Sequence, residues 1–321
     1  MFLEILDPGL LTTIQDLGRF GHQKIGVPPA GAMDPFALRV GNALVGNELG
    51  AAALEMTVVG ATLRFHQACV IAITGADLGP RIDGREIENW RSYLVRPGAI
   101  LDFAGRRSGA RAYLAVSGGI AVQPWLGSRS TYLLAGVGGL EGRALRKGDR
   151  LPVGMTAVSV GSAAGRSFPF EWRPSYGSKP TVRVILGPHL ERFTEEAINT
   201  LLSSSYEVTP SSNRIAYRLE GPKLTHTRGA DLISCGIPLG ALQVPANGQP
   251  ILHMADHPTM GGYTVIAVAI QADIPLLAQC LPGDHIRFRA VGFEEARESL
   301  RRQMESIQAI CEERDASVWV E

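Results

Sequence analysis

No long apolar run occurs in this chain. From residue 54 to residue 116, hydrophobic-rich segments recur at 54–59, 61–66, 69–74, 93–95, 99–103 and 111–116, punctuated by Gly, Pro and Asp. Segments this short, bounded by turn formers, have the length of strands rather than of helices. The 37 Gly and 20 Pro supply the turns such a chain needs. Charged residues are only 19% of the chain, against 45% hydrophobic, so a sizeable core is available. The expected class is mainly β with a few helices, built as barrels or sandwiches.

The first ten residues read as a strand ended by Asp7-Pro8-Gly9, and a further strand is expected at TVRVIL (181–186). Asp34 precedes Pro35 and an apolar segment at helical spacing, the pattern of an N-cap with proline at the first helical position. A second helix is expected around 190–202. The segment 292–311 reads as an amphipathic helix, with Phe293, Ala296, Leu300, Met304, Ile307 and Ile310 on one stripe. A last short strand, SVWV, follows it. Residues 160–180 lack periodicity and are rich in small and turn-forming residues, so they serve as the linker between a unit 1–165 and a unit 166–321. RPGAILDF (96–103) resembles LPGDHIRF (281–288), and GVPPAGAM (26–33) resembles GIPLGALQ (236–243) with one gap, which suggests two related halves.

Several function classes are disfavoured. The formal net charge is zero, which gives no electrostatic footprint for nucleic acid or an anionic membrane. No apolar run of ~18 residues is present to span a bilayer. MFLEILDPGLL, broken by Glu4, Asp7 and Pro8, does not read as a signal peptide. The cysteines Cys69, Cys235, Cys280 and Cys311 form no C-x-x-C pair and suit a reducing cytoplasm. There is no Walker-type loop, no G-x-S-x-G elbow and no Met-Lys-Met biotinylation site, the only lysines being Lys24, Lys147, Lys179 and Lys223. His253 and His257 frame Asp256 at i, i+4, but the flanking strand-like run and Gly261-Gly262 argue for a polar loop, and no metal site is expected.

Two polar, Gly-rich regions interrupt the apolar halves: residues 12–34, and residues 212–221, 236–250 and 256–263. A Gln or Asp buried there without a partner would cost ~1–3 kcal/mol, so such groups must be matched internally or by a ligand. Asp16 and Arg19 are spaced to pair across a turn, or Arg19 is a cation for a carboxylate. Asp34 is a helix cap or a site acid. Gln243, between Leu242 and Val244, is a clamp on neighbouring backbone or a ligand contact. Arg214 follows Asn213 in a turn, and Arg129 and Ser130 suit a capping turn. Asp256, Thr259 and Gly261-Gly262 form the preferred site loop, because adjacent glycines let backbone N–H groups approach an oxyanion.

Taken together, Gln15-Asp16 with Gly18-Arg19, Gly31-Ala32-Met33-Asp34, Arg111 to Val116 with Gly118-Gly119, Leu126 to Thr131, Asn213-Arg214, Gln243-Val244-Pro245, Gly248-Gln249-Pro250 and Gly261-Gly262-Tyr263 carry a resemblance. Over nearly the whole chain the sequence resembles the family of the 5-oxoprolinase C subunit, the Kip antagonist protein, allophanate hydrolase subunit 2 and the matching half of the urea carboxylase carboxyltransferase domain. It departs from the pattern at Ile215-Ala216, commonly Met-Gly, at Cys235, often acidic, and at Met260, commonly Thr.

The resemblance implies two cyclophilin-like β-barrel subdomains and a cytoplasmic, hetero-oligomeric enzyme. Its partners would be a sister chain, the 5-oxoprolinase B subunit or a Kip-inhibitor-like protein, and a lactam-utilisation protein. ATP would act on the complex, with no biotin attached to this chain. Three functions compete: a subunit of an ATP-dependent 5-oxoprolinase, a carboxyltransferase subunit of a biotin-dependent urea carboxylase-like enzyme, and a non-enzymatic antagonist of a Kip-type kinase inhibitor. For the first, Gln243 and the Gly261/Gly262 backbone would be donors to the lactam oxygen, with Asp256 as acceptor or base and Thr259 beside it. Gln15, Asp16, Arg19, Asp34, Arg129, Arg214 and Tyr263 would line the substrate site, with Arg19 or Arg214 on the carboxylate. The polar turns of both halves are expected to meet in one cleft.

Overall fold

The computed structural model describes residues 2–156 and 163–317. The chain forms two units: Met1–Arg19, Ala30–Pro174 and Gln303–Glu321 make the first, and Phe20–Pro29 and Ser175–Arg302 the second. The passage at Pro174–Ser175 falls inside the aperiodic segment 160–180. Both units are dominated by strands, and among the described residues no helix is long and apolar enough to cross a membrane.

The first unit contains strands β1 (Phe2–Asp7), β2 (Leu11–Gln15), β3 (Ala53–Thr57), β4 (Thr62–Phe65), β5 (Cys69–Asp77), β6 (Pro80–Ile82), β7 (Arg85–Glu86), β8 (Arg91–Val95), β9 (Ile100–Phe103), β10 (Ser108–Val116) and β11 (Arg150–Pro152), with helix α1 (Pro35–Leu44). They form a six-stranded sheet, β11-β1-β4-β9-β6-β7, and a five-stranded sheet, β2-β3-β10-β5-β8. Register decides the character of each face of the second sheet. Ile14 lies opposite Leu54, Leu54 opposite Leu114, and Leu114 opposite Ile73, so these side chains share one face, and they belong to the unit's main core with Leu63, Phe65 and Leu101. One residue along, Thr13 faces Glu55, Glu55 faces Tyr113, and Tyr113 faces Thr74. This second face is polar yet buried. Helix α1 packs on β5 and β10, and Thr74 donates to the Ala37 carbonyl at 2.6 Å.

The second unit contains β12 (Thr181–Leu186), helix α2 (Glu195–Ser203), β13 (Ser205–Val208), β14 (Ala216–Glu220), β15 (Asp231–Gly236), β16 (Ala241–Val244), β17 (Ile251–His253), β18 (Met260–Ala269), helix α3 (Ile274–Ala278) and β19 (His285–Ala290); helix α4 (Phe293–Ser317) follows. Seven strands run in the order β12-β19-β13-β14-β17-β16-β18, and β18 pairs back onto β12 through Val184↔Ala269, Ile185↔Val268 and Leu186↔Ala267. The sheet is therefore a closed barrel, with β15 pairing to the Met260–Tyr263 end of β18, ahead of the stretch that meets β12. The mainly β class holds throughout; the closed ring belongs to the second unit, while the strands of the first form the two sheets above.

Most sequence-derived elements match within a residue or two. The helix expected at 190–202 is divided: a 3-10 turn covers Leu190–Arg192, and α2 begins only at Glu195, where the Thr194 hydroxyl accepts from the Ala197 N–H at 3.1 Å. Helix α4 runs on to Ser317, stabilised on its exposed side by Glu294–Arg297 and Glu298–Arg301/Arg302 pairs at helical spacing. Ser317 of the expected SVWV strand is thus helical, and its other residues lie outside the described ones. Both RPG-x and LPG-x turns feed strands, β9 and β19, as the repeat suggested.

The Asp34 carboxylate accepts from the Ala37 N–H at 2.9 Å, and Pro35 opens α1. Because the cap is fully buried, Asp34→Ala should destabilise the protein by about 1–2 kcal/mol in urea unfolding, and Asp34→Asn should recover most of that loss.

Candidate functional site

The expected site residues fall into two groups, one per unit: Gln15, Asp16, Arg19, Asp34 and Arg129 in the first, and Arg214, Gln243, Asp256, Thr259, Gly261, Gly262 and Tyr263 in the second.

In the first unit, β2 delivers Gln15 to the buried polar face, and the chain then turns. The Asp16 carboxylate accepts from the Gly18 N–H (2.8 Å), the Ser128 hydroxyl (2.6 Å), the Ser130 hydroxyl (2.5 Å) and the Arg129 N–H (2.5 Å). An ionised carboxylate has about four acceptor positions, so this one is fully used in tying the 128–130 turn to β2. Arg19 is 1% exposed; its guanidinium donates to the Ser130 carbonyl and lies 5.1 Å over the Trp125 ring. Asp16 and Arg19 thus converge on the same turn. Gln15 donates to the Thr13 hydroxyl (3.0 Å) and the Thr131 carbonyl (3.2 Å), while its Oε1 has no hydrogen-bond partner among the described residues. Arg129 donates to the Val122 carbonyl at 2.8 Å and lines a surface cavity of about 450 Å³ with Asn47, Glu48, Gly119 and Met155.

Glu55 and Tyr113 complete this polar face and were not singled out from sequence. Glu55 accepts from the Met33 N–H (2.9 Å) and the Tyr113 hydroxyl (2.6 Å), and the same hydroxyl accepts from the Asp34 N–H (2.8 Å). Burial, then the charges of Glu55 and Asp34, push the Tyr113 phenol well above its ordinary value, so it stays protonated and donates. The available signal was a charged residue at period two inside an apolar strand, Leu54-Glu55-Met56.

In the second unit, Gln243 is 3% exposed although it occupies the face of the barrel wall that also carries exposed Arg218. Register places Gln243 beside Ile251 and Val265, and His253 beside Ala216, whereas Leu242, Leu252 and Ala267 share the opposite, apolar face. Gln243 Nε2 donates to the Tyr263 carbonyl at 3.1 Å, and its Oε1 accepts from His253 Nε2 at 2.8 Å. Burial, and secondarily the charge of His257, lower the His253 pKa to about 4, so the ring is neutral at physiological pH. Burial also lowers His257, whose Nδ1 donates to the Pro258 carbonyl at 2.9 Å.

Asp256 and Arg214 form a buried bidentate pair, with Nε and Nη2 each 3.0 Å from a carboxylate oxygen. Both carboxylate oxygens are thereby engaged, so Asp256 does not stand as the free base the sequence suggested. Thr259 is half-buried, and its carbonyl accepts from the Ile237 N–H at 3.2 Å. Gly261 and Gly262 are not in a turn. They lie within β18, where Gly261 pairs with Cys235, so the expected open cradle of N–H groups is replaced by strand pairing. What the glycine does there is permit close packing: a Cβ on Gly261 would stand 2.3 Å from Ile237 Cδ1 and 2.8 Å from Gln243 Nε2. Tyr263 is half-exposed and lines a second cavity of about 460 Å³ with Arg218, Glu220, Asn247 and Gln249. The HMADH segment is the end of β17 followed by a turn, not a helix, and among the described residues no group of three or more His, Cys, Asp or Glu is placed to hold a metal.

Comparison with known proteins agrees with this architecture. The chain is 40% identical to the 5-oxoprolinase C subunit of Escherichia coli, over 92% of this chain and 93% of that protein. It is 34% identical to the 5-oxoprolinase C subunit of Haemophilus influenzae, over 98% of this chain and 100% of that protein. The crystal structure of the Kluyveromyces lactis urea carboxylase superposes with a TM-score of 0.90 at 33% identity, covering 96% of this chain but only 29% of that much longer one. Residues 25–290 match the carboxyltransferase domain, subdomain A and B, and the chain belongs to that family.

Proposed function

We propose that this chain is the C-type subunit of an ATP-dependent 5-oxoprolinase that converts 5-oxo-L-proline to L-glutamate. Its partners in this reading are a B-type or Kip-inhibitor-like sister chain and a lactam-utilisation protein, in the cytoplasm. The observation that carries it is the nearly end-to-end match to the C subunits of two 5-oxoprolinases, at higher identity in the E. coli case than to the urea carboxylase of which this chain would be a minor part.

A lactam is unreactive until its oxygen takes on more negative charge, so a site for it needs donors aimed at that oxygen. Gln243 is the best-placed group, because one of its amide hydrogens is held by Tyr263 and the other has no partner among the described residues. Held rigidly in a buried setting, such a donor stabilises charge on a carbonyl oxygen without reorganisation. ATP, when bound on the complex, would supply activation of the lactam oxygen. This chain has no Walker-type glycine-rich loop ending in Lys, and its four lysines are scattered, so the nucleotide is assigned to the complex. Arg214 serves the site as the buried partner of Asp256, and the pair holds the 254–257 turn beside strand β14.

With the partner subunits present, Gln243→Ala should lower ATP-dependent glutamate release by about 10²-fold while the chain remains folded by circular dichroism. Unchanged turnover would remove Gln243 from the site. Asp256→Ala removes the bidentate carboxylate partner of the buried Arg214 cation, and should destabilise the chain by about 3–5 kcal/mol in urea unfolding. A loss below about 1 kcal/mol would show that solvent reaches the pair.

A further inference from the structure

The hydrogen bonds around Gln243 have only one consistent polarity. A backbone carbonyl can accept but cannot donate, so the Tyr263 oxygen requires the NH₂ end of the Gln243 amide at 3.1 Å. The carbonyl end is then turned toward His253 Nε2, 2.8 Å away, and that nitrogen must carry the proton. In a neutral imidazole the other nitrogen is left as a lone pair. His253 Nδ1 is in fact buried with no hydrogen-bond partner among the described residues. The opposite tautomer would put a lone pair against the Gln243 oxygen and bury an unmatched N–H as well, which is worse on both counts.

From this we propose that His253 is a positioning residue that locks Gln243 as a donor-only amide, so that the site selects a ligand by an acceptor atom of the carbonyl type. Without His253, the Gln243 carbonyl would be released to accept from a ligand N–H, and only the Tyr263 carbonyl would be left to hold the amide. Gly261 keeps side-chain atoms of its own position off the NH₂ end, since any side chain there would begin 2.8 Å from Nε2. Selection by oxygen is the discrimination a CO–NH substrate needs, because a site offering the acceptor end would bind its N–H and leave the oxygen unpolarised. The inference rests on the reading that Gln243 meets the substrate amide, but the polarity itself does not.

The test has two arms. The first uses the full-length chain without partners, with ¹⁵N-labelled histidine, and assigns the His253 resonances by their loss in His253→Gln. The expected result is a neutral Nε2–H tautomer from pH 8 down to pH 5, taking up a proton only near 4. An Nδ1–H tautomer overturns the proposal. The second arm measures 5-oxoproline turnover in the assembled complex. His253→Leu should lower kcat/KM about 10-fold, His253→Gln, which restores an N–H toward Gln243, should return it to within about 3-fold, and His253→Leu should add no further loss to Gln243→Ala. Losses that multiply in the double variant, or no rescue by Gln, would mean that His253 does not act through Gln243. If the wild-type complex turns over no lactam, the 5-oxoprolinase reading falls, and the tautomer measured in the first arm still decides the polarity.

Discussion

The pairing of β18 with β12 is the constraint on which the second unit depends. An open sheet of seven strands leaves two rows of backbone N–H and C=O groups unmatched, and closure removes both. Three residue pairs, from Val184↔Ala269 to Leu186↔Ala267, make the seam. Closure also fixes strand register around the ring, so each side chain's face is no longer adjustable. Gln243 and His253 come into contact because β16 and β17 are held in the register that pairs Leu242 with Leu252. A slip of β17 by one residue would turn His253 to the other face and part it from Gln243.

The first unit solves a different problem. Its five-stranded sheet is buried on both faces, one apolar and one carrying Thr13, Gln15, Glu55, Thr74 and Tyr113. Such a face is stable only if its groups satisfy one another, and the Glu55–Tyr113–Asp34 chain of hydrogen bonds does so. Asp16 performs the same service for the 128–130 turn. The density of Gln, Asp, Arg and Thr that marked residues 12–34 as unusual is therefore largely consumed by internal matching, although the buried Gln15 carbonyl oxygen has no hydrogen-bond partner among the described residues.

In the second unit, the second N–H of Gln243 and the buried Nδ1 lone pair of His253 have no hydrogen-bond partner among the described residues. Asp256, which looked from sequence like the natural base, is spent on Arg214. The distinction was invisible in the chain because Arg214 and Asp256 are 42 positions apart and are brought together by the pairing of β14 with β17, continued by backbone bonds from Met254 to Ile215 and from Asp256 to Arg214.

Local signals determined much of this protein. Alternating short runs and Gly/Pro/Asp punctuation located strands such as β3, β4, β9 and β10, and the Asp34-Pro35 pair located the start of α1, because turn and cap preferences act over three or four residues. The distinctive residues themselves, from Gln15 to Tyr263, also sufficed to show the family. Only tertiary structure decided that Gly261 and Gly262 extend as a strand instead of turning, since that depends on β15 being available to pair. It likewise decided that His253 belongs with Gln243, because a hydrogen bond between strands is set by register and closure, which no local preference encodes.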